Sequence, residues 1–338
     1  MNQENFLQVR LTIIEGRQEI INIPKITHFT ISEFVSQPVE TMTTELQKIG
    51  VFKENHTCLD CGTLLTKFYN QQDRGPFFRC NKRTCQRKKY PLWKNTIFGS
   101  SKLPIEKTLL TLYYFSCRRT VSDTAECLDY NKQSVCDLYK LFRSTLESFT
   151  EKYSSKLGGP GVVIHFDETP ITKRHGYTGR HAPSTTVWVV GAVDIHSRKC
   201  FLHFLPSRSR NDLYQFVEKW ILPGSTIHTD CHRSYSTLSS MGFTHLTVNH
   251  SRTLVSPDGT HTNWIEGLFG CVKKLRRKYD AKWAGVENLH LYLAEFCFRY
   301  RWNAWNRQTA FGKILLAFNN MRKDMDDEDL LAEMNSYE

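Results

Sequence analysis

The run Gly161–Thr169, GVVIHFDET, constrains this chain more than any other stretch. Its β-branched and aromatic residues follow Gly158-Gly159-Pro160, which describes a short buried strand entered through a turn. The strand closes on Asp167, and Glu168 follows at once. A carboxylate at the end of a buried strand is costly to desolvate unless something offsets its charge. On this stretch alone two explanations stand. Asp167 can cap the turn that follows, or it can share a cation with carboxylates brought from elsewhere.

Two later runs bring such carboxylates. Thr226–Asp230, TIHTD, is a second short strand ending in an aspartate. Asn263–Lys278, NWIEGLFGCVKKLRRK, reads as a helix with Glu266 in its first turn. From Asp230 to Glu266 is a step of 36 (266 − 230), so 35 residues lie between them. Two strand-borne aspartates and a helix-borne glutamate make an acidic triad able to hold two divalent ions. That is the pattern of nucleotidyl-transfer enzymes on an RNase H-like sheet. Hard cations such as Mg²⁺ or Mn²⁺ choose carboxylate oxygens and keep positions open for water and phosphate. Two of them can activate an attacking oxygen and stabilise a leaving one.

Around these runs the chain reads as a mixed α/β domain over 158–322. Ser184–Ile195 and Lys199–Leu205 are two further strands joined by a turn at His196-Ser197-Arg198, hence antiparallel. Asn211-Asp212 caps a helix, LYQFVEKWIL. Tyr235–Met241 reads as a short helix and His245–Val248 as a fifth strand, with a loop containing Pro257-Asp258-Gly259 before the Glu266 helix. On that helix Lys273 and Arg277 share an arc with Glu266, and Trp264, Leu268 and Leu275 mark a different, buried face. Cations along the acid's own face suit DNA lying on the helix. A plain solvated basic face is the other reading.

Upstream, Cys58-x2-Cys61 and Cys80-x4-Cys85 stand 18 residues apart. Paired cysteines at this separation fit a Cys₄ zinc site on two knuckle turns, with Cys61-Gly62 allowing a tight backbone. Four unrelated core cysteines are the alternative. Four thiolates leave no open position, so this zinc would be structural. Arg74, Arg79, Lys82, Arg83, Arg87, Lys88, Lys89 and Lys94 lie among Phe77, Phe78, Tyr90 and Trp93. Such interleaving suits a nucleic-acid surface, or else a charged rim over an aromatic mini-core.

The segment 96–157 turns helical. A helix starts at Pro104, a second is capped by Ser122 and ends near Asp129, and a longer one is capped by Ser134. Two helices across a short turn resemble a helix-turn-helix, with Gln133, Ser134 and Asp137 facing the groove, although any small helical bundle shares the pattern. Residues 1–50 carry a candidate hairpin across Gly16-Arg17 and a helical stretch, Ser32–Ile49, interrupted by Pro38. No function attaches to them.

The whole is a multidomain α+β chain: 1–50 of unknown role, a ribbon at 51–95, a helical segment at 96–157, the domain 158–322, and an acidic tail at 323–338. Lys+Arg 45 against Asp+Glu 34 gives a formal charge of +11, which suits a polyanionic partner. The start, MNQENFLQVR, has no signal-peptide core, and no apolar run reaches the length of a membrane span. Eleven cysteines in such a chain point to reduced thiols and metal ligation rather than disulfides. A cytosolic or nuclear protein is the expectation.

The succession of Cys₄ ribbon, helical segment, HFDET, IHTD, THTNWIEGLFGCVKKLRR and AEFCFRYRWN resembles the Merlin-type DNA transposases. These are eukaryotic relatives of a bacterial insertion-sequence group with the same ribbon and DDE core. The resemblance covers about Val51–Phe318. It implies cut-and-paste transposition: binding of terminal inverted repeats, cleavage at the element ends and joining of 3′ ends to target DNA, in the nucleus, by a homodimer or higher oligomer on paired ends. By motif match Asp167, Asp230 and Glu266 take the metal-holding catalytic roles, with two Mg²⁺ or Mn²⁺ ions, and one Zn²⁺ sits on Cys58, Cys61, Cys80 and Cys85. Glu168 and Asn263 stand where the family also has polar residues. Lys273, Arg276, Arg277 and Lys278, with Arg83, Lys88 and Lys89, are the DNA-gripping candidates. A sequence-specific DNA-binding protein derived from such a transposase, with catalysis lost, is the alternative. A nuclease that cannot join strands is a third reading.

Overall fold

A computed structural model describes residues 10–14, 17–21, 27–70, 75–101, 103–173, 186–205, 208–249, 255–257, 259–278 and 288–335. Gly16, Arg74, Asp258, the side chain of Lys278 and the acidic side chains of 324–338 lie outside the described set. The chain forms two compact units, one of residues 1–149 with 303–338 and one of residues 150–302.

In the first unit the expected N-terminal hairpin is present, Arg10–Ile14 pairing antiparallel with Arg17–Ile21. Pro38 splits the following helical stretch into α1 (His28–Val35) and α2 (Val39–Lys48). The ribbon follows: His56–Thr57 pairs with Leu64–Leu65, and Phe68–Tyr69, Phe77–Arg79 and Lys89–Pro91 form a three-stranded sheet. Three helices come next: α3 (Ile105–Ser116), α4 (Val121–Leu128) and α5 (Lys132–Tyr153). Two caps in this unit differ from the sequence reading, as does that of the LYQFVEKWIL helix, which Ser209 rather than Asn211-Asp212 caps. Thr120, not Ser122, caps α4 by accepting from the Asp123 amide. Asn131, not Ser134, serves α5, its Oδ1 accepting from the Gln133 amide at 2.7 Å. In both cases the earlier residue leaves the free first-turn amides within reach of a short side chain.

The second unit is built on a five-stranded sheet. Its strands are β1 (Val163–Lys173), β2 (Thr186–Asp194), β3 (Cys200–Leu205), β4 (Thr226–Asp230) and β5 (Thr244–Val248), in the order β3-β2-β1-β4-β5. The first three are antiparallel, while β4 runs parallel to both β1 and β5. This is the RNase H-like arrangement. β1 is longer than its apolar run suggests. It continues through Pro170, which faces Trp188 beside a register irregularity, where a missing N–H is tolerated.

Alternation gives the sheet two faces. Ile164, Phe166, Val190, Ala192 and Ile227 point to one side, where α6 (Arg210–Trp220) buries Leu213, Phe216 and Val217 against them. The other side receives α7 (Asn263–Lys278). α7 has the bounds read from the sequence, but a different buried stripe. Ile265, Leu268, Phe269 and Val272 are buried, whereas Trp264 is 38% exposed with the Arg198 guanidinium 3.4 Å from its ring centroid. Leu275 is half-buried. The sequence reading put Trp264 on a buried face with Leu268 and Leu275, yet at 100° per residue it falls outside the Ile265–Phe269–Val272 stripe. Tyr235–Met241 is likewise not one helix but part of two 3₁₀ turns, Arg233–Tyr235 and Leu238–Met241. α8 (Leu289–Arg301) packs on β3.

The last helix, α9 (Arg307–Asn335), returns to the first unit. Phe318 packs on Phe142 of α5 at 5.7 Å, and Phe311 on Tyr113 of α3 at 6.3 Å. Residues 303–322, read from the sequence as part of the 158–322 domain, therefore cluster with residues 1–149. Among the described residues no helix is long and apolar enough to cross a membrane.

Candidate functional site

Gly191 of β2 is the register partner of Asp167, and an added Cβ there would lie 2.7 Å from Leu202 Cδ2 and 2.8 Å from Ile265 Cδ1. The missing side chain lets α7 lie close over the sheet at the level of Asp167. Asp230, at the end of β4, is one strand over, with His228 and His165 as register partners two residues upstream of the two aspartates. Glu266 enters from the first turn of α7, where the Thr262 hydroxyl donates to its Oε1 at 2.8 Å.

The Asp167 carboxyl feels its acidic neighbours. Burial, then Glu168, and after them Asp230 and Glu266, push the Asp167 carboxyl up to about 7, against the pull of the Glu168 amide donating to its Oδ1 at 2.8 Å. Asp230 Oδ1 accepts from the His232 amide at 2.9 Å. Among the described residues, though, the four cysteines are the group of candidate ligand atoms gathered within 4.8 Å of one another. The acids are not drawn together that tightly. The donor set suits a pair of hard cations, which are about 3.5–4 Å apart and take ligands on opposite flanks, so wider spacing is compatible with it.

Glu168 is placed differently from its neighbour. Its side chain is fully buried, and both oxygens are engaged: Arg208 donates to Oε1, from Nε at 2.6 Å, and the Tyr235 hydroxyl donates to Oε2. Burial pushes its carboxyl up while Arg208 pulls it down. The Arg208 guanidinium lies 4.3 Å from the Trp188 ring centroid. This network ties β1 to the chain entering α6 and to the turn just after Asp230. Sequence reading missed Arg208 and Tyr235, because neither stands in a motif and only the sheet order brings them to Glu168.

On α7 the candidate cations divide. Lys273 Nζ donates to Thr169 Oγ1 at 2.7 Å, and Arg276 Nη1 donates to the Ile171 carbonyl. Both thus hold β1, while Arg277 is exposed. Asn263, also exposed, opens the helix.

In the ribbon, Cys58, Cys61, Cys80 and Cys85 converge from two turns, with Cys61 and Cys80 sulfurs 3.8 Å apart. Thiolates bound tetrahedrally at about 2.3 Å are about 3.8 Å from one another, so the cluster fits zinc. Gly62 has the left-handed φ of 66° that the first turn demands. A hydrogen bond with Thr63 lowers Cys61 to about 6, and the neighbouring Cys61, then burial, push Cys85 up to about 12. The aromatics Phe77, Phe78 and Tyr90 are buried and Tyr90 donates to Cys58 Sγ, so they form the mini-core rather than a stacking platform. Lys82, Arg83, Arg87, Lys88 and Lys89 remain exposed around it, Lys88 beside Asp60 at 3.2 Å. In the helical segment Gln133 and Asp137 are exposed and bonded to each other at 2.8 Å, while Ser134 is half-buried.

Strand order and the helices on both faces of the sheet define an RNase H-like domain. Residues 156–303 match the family of the ISXO2-like transposase domain, so the chain carries a DDE transposase domain. No curated protein sequence matches it. Among solved structures, it is similar to a chain of the simian T-cell lymphotropic virus intasome in complex with PP2A regulatory subunit B56 gamma (12% identity, 59% of this chain and 74% of that one, TM-score 0.30). A pre-cleavage Mos1 transpososome is similar at 13% identity over 68% of this chain and 86% of that one, with a TM-score of 0.21. Superpositions so loose do not bear on function.

Proposed function

We propose that this chain is a DNA transposase that binds terminal inverted repeats, cleaves DNA at the element ends and joins the 3′ ends to target DNA. The observation that carries the reading is that Asp167 and Asp230 each stand two residues beyond the register partners His165 and His228 on adjacent parallel strands, with Glu266 next to Ile265, the α7 residue packed over Gly191, inside a segment matching a transposase family. These three side chains would hold two Mg²⁺ or Mn²⁺ ions, which when bound supply an activated oxygen nucleophile and a stabilised leaving oxygen. Lys273 and Arg276 brace β1 behind the acids, and exposed Arg277 grips phosphate. Glu168, held by Arg208 and Tyr235, keeps its charge away from the ions and fixes the strand end that carries Asp167.

The ribbon, carrying one structural zinc, and the α4–α5 pair read the terminal repeat. The protein works as a dimer or larger assembly on paired ends, in the nucleus if the chain is eukaryotic. The test is incubation of purified protein with its flanking inverted repeats and Mg²⁺ or Mn²⁺. Cleavage at the ends and transfer of pre-cut ends to target DNA are expected. End-binding without cleavage would instead identify a DNA-binding derivative, and cleavage without joining a nuclease.

A further inference from the structure

We infer that His165, His228 and His261 form a packed imidazole trio that sets the spacing of the three carboxylates, as positioning residues for Asp167, Asp230 and Glu266. The inference rests on the reading of those acids as metal-holding groups.

The sequence carries a regularity. His165 stands two residues before Asp167 on β1, His228 two before Asp230 on β4, and His261 five before Glu266, just ahead of α7. Side chains two apart on a strand share a face. Both strand histidines therefore lie on the side of the sheet that carries the aspartates. Each acid-bearing element thus brings one histidine to the layer next to the acids.

The three rings meet there. His165 and His228 are register partners across the β1–β4 pair, and their rings stack with centroids 5.3 Å apart and planes at 19°. His165 meets His261 edge to face, at 4.7 Å and 90°. His228 Nδ1 lies 3.3 Å from the His261 carbonyl oxygen. These are contact separations for flat rings. α7 packs chiefly on β1 and β2, and the chain of contacts His228–His165–His261 links β4 to the approach of α7.

Hydrogen bonding does not explain the central ring. His165 is fully buried, and among the described residues neither of its ring nitrogens has a partner, nor does the buried Nδ1 of His261. Each such orphan carries a desolvation cost. A place kept at that cost is kept for shape: a flat ring of this size spaces the two strands and the lead-in to the helix.

The experiment is a Mn²⁺ titration of the full-length, zinc-loaded protein, with free ion followed by electron paramagnetic resonance and melting temperature recorded alongside. Wild type is expected to bind Mn²⁺ and Asp167→Asn to lose most of that binding. If wild type does not bind, or Asp167→Asn binds equally well, the reading of the acids fails and the inference with it. Given that control, His165→Ala is expected to weaken Mn²⁺ binding about tenfold, the scale seen when outer-shell partners of a metal site are removed. His165→Phe, which keeps a flat ring and discards the nitrogens, is expected to stay within about threefold of wild type. Should His165→Ala not fold, His261→Ala, at a half-buried position, is expected to show the same weakening. Unchanged Mn²⁺ affinity in the folded alanine variant overturns the inference alone, and so does a His165→Phe protein that binds as weakly as the alanine variant.

Discussion

The ribbon and the acid site both collect metal-type ligands, and they do it in opposite ways. The four cysteines come from 28 residues of chain (85 − 58 + 1), the three acids from 100 (266 − 167 + 1). The sulfurs already lie within 4.8 Å of one another, and the carboxylates do not. Thiols are neutral when protonated, so two local turns can crowd them before any metal arrives. Carboxylates are charged near neutrality and repel, and burial first, with Glu168 and then Asp230 and Glu266 adding to it, pushes Asp167 up to about 7. The acid site is therefore shaped by packing at a distance, through Gly191, the Arg208–Glu168–Tyr235 network and the histidine trio.

The sharpest way to break the comparison is to attack the ribbon's metal. Structural zinc contributes about 10–16 kcal/mol in small zinc-finger peptides. Cys80→Ser is expected to reduce bound zinc from one per chain to none by metal analysis and to make the ribbon protease-sensitive. A protein that keeps its zinc would remove Cys80 from the site. Next, Asp167→Asn, Asp230→Asn and Glu266→Gln are each expected to cut end cleavage at least about 10³-fold while terminal-repeat binding persists, since each keeps size and loses only charge. Near-normal cleavage by any one would exclude that residue.

A packing change should touch the acid site without touching an acid. Gly191→Val places methyls where Leu202 and Ile265 already stand. It is expected to lower stability by about 1–3 kcal/mol and to reduce cleavage further than stability alone explains, because α7 moves with Glu266. Normal cleavage in the folded variant would show that the close approach is dispensable.

The Asp167 titration gives a smaller effect. A carboxyl raised from about 4 to about 7 on folding favours the protonated native state, so its contribution to stability is complete below pH 4 and lost as pH rises towards 7. The metal-free protein should melt at a lower temperature at pH 8 than at pH 5. Asp167→Asn should flatten that slope, and added Mn²⁺ should reverse it. Smallest of all, Arg277→Ala should weaken all DNAs alike and reduce the salt slope by about one unit. Lys273→Ala should act instead through stability, because its partner is Thr169. A selective loss of terminal-repeat binding in Lys273→Ala would reverse that division.

Much of this was legible in the sequence where the signal is local. The bounds of α7, the order of the five strands and the paired cysteines follow from periodicity and spacing. So does the Pro38 break. Thr120 was also within reach, since Thr-x-x-Asp is as good a capping pattern as any at Ser122. What local reasoning misses is what the sheet assembles. Glu168 carries no mark that separates it from Asp167, yet the pleat sends one into a buried network and the other to the opposite face. Lys273, Arg276 and Arg277 read as one basic stripe, and only their distance from β1 divides them. Trp264 reads as core because it shares an arc with Leu268 and Leu275, although Arg198 covers it from outside.

The return of α9 has a consequence for anyone cutting the gene. In the sequence, residues 150–302 interrupt the unit made of residues 1–149 and 303–338, so that unit has no single chain boundary. A fragment stopped near Ser155 would expose the faces of Phe142 and Tyr113 that Phe318 and Phe311 cover. Its poor behaviour would say nothing about recognition. A spliced chain, residues 1–149 joined by a flexible linker to 303–335, keeps both aromatic contacts together.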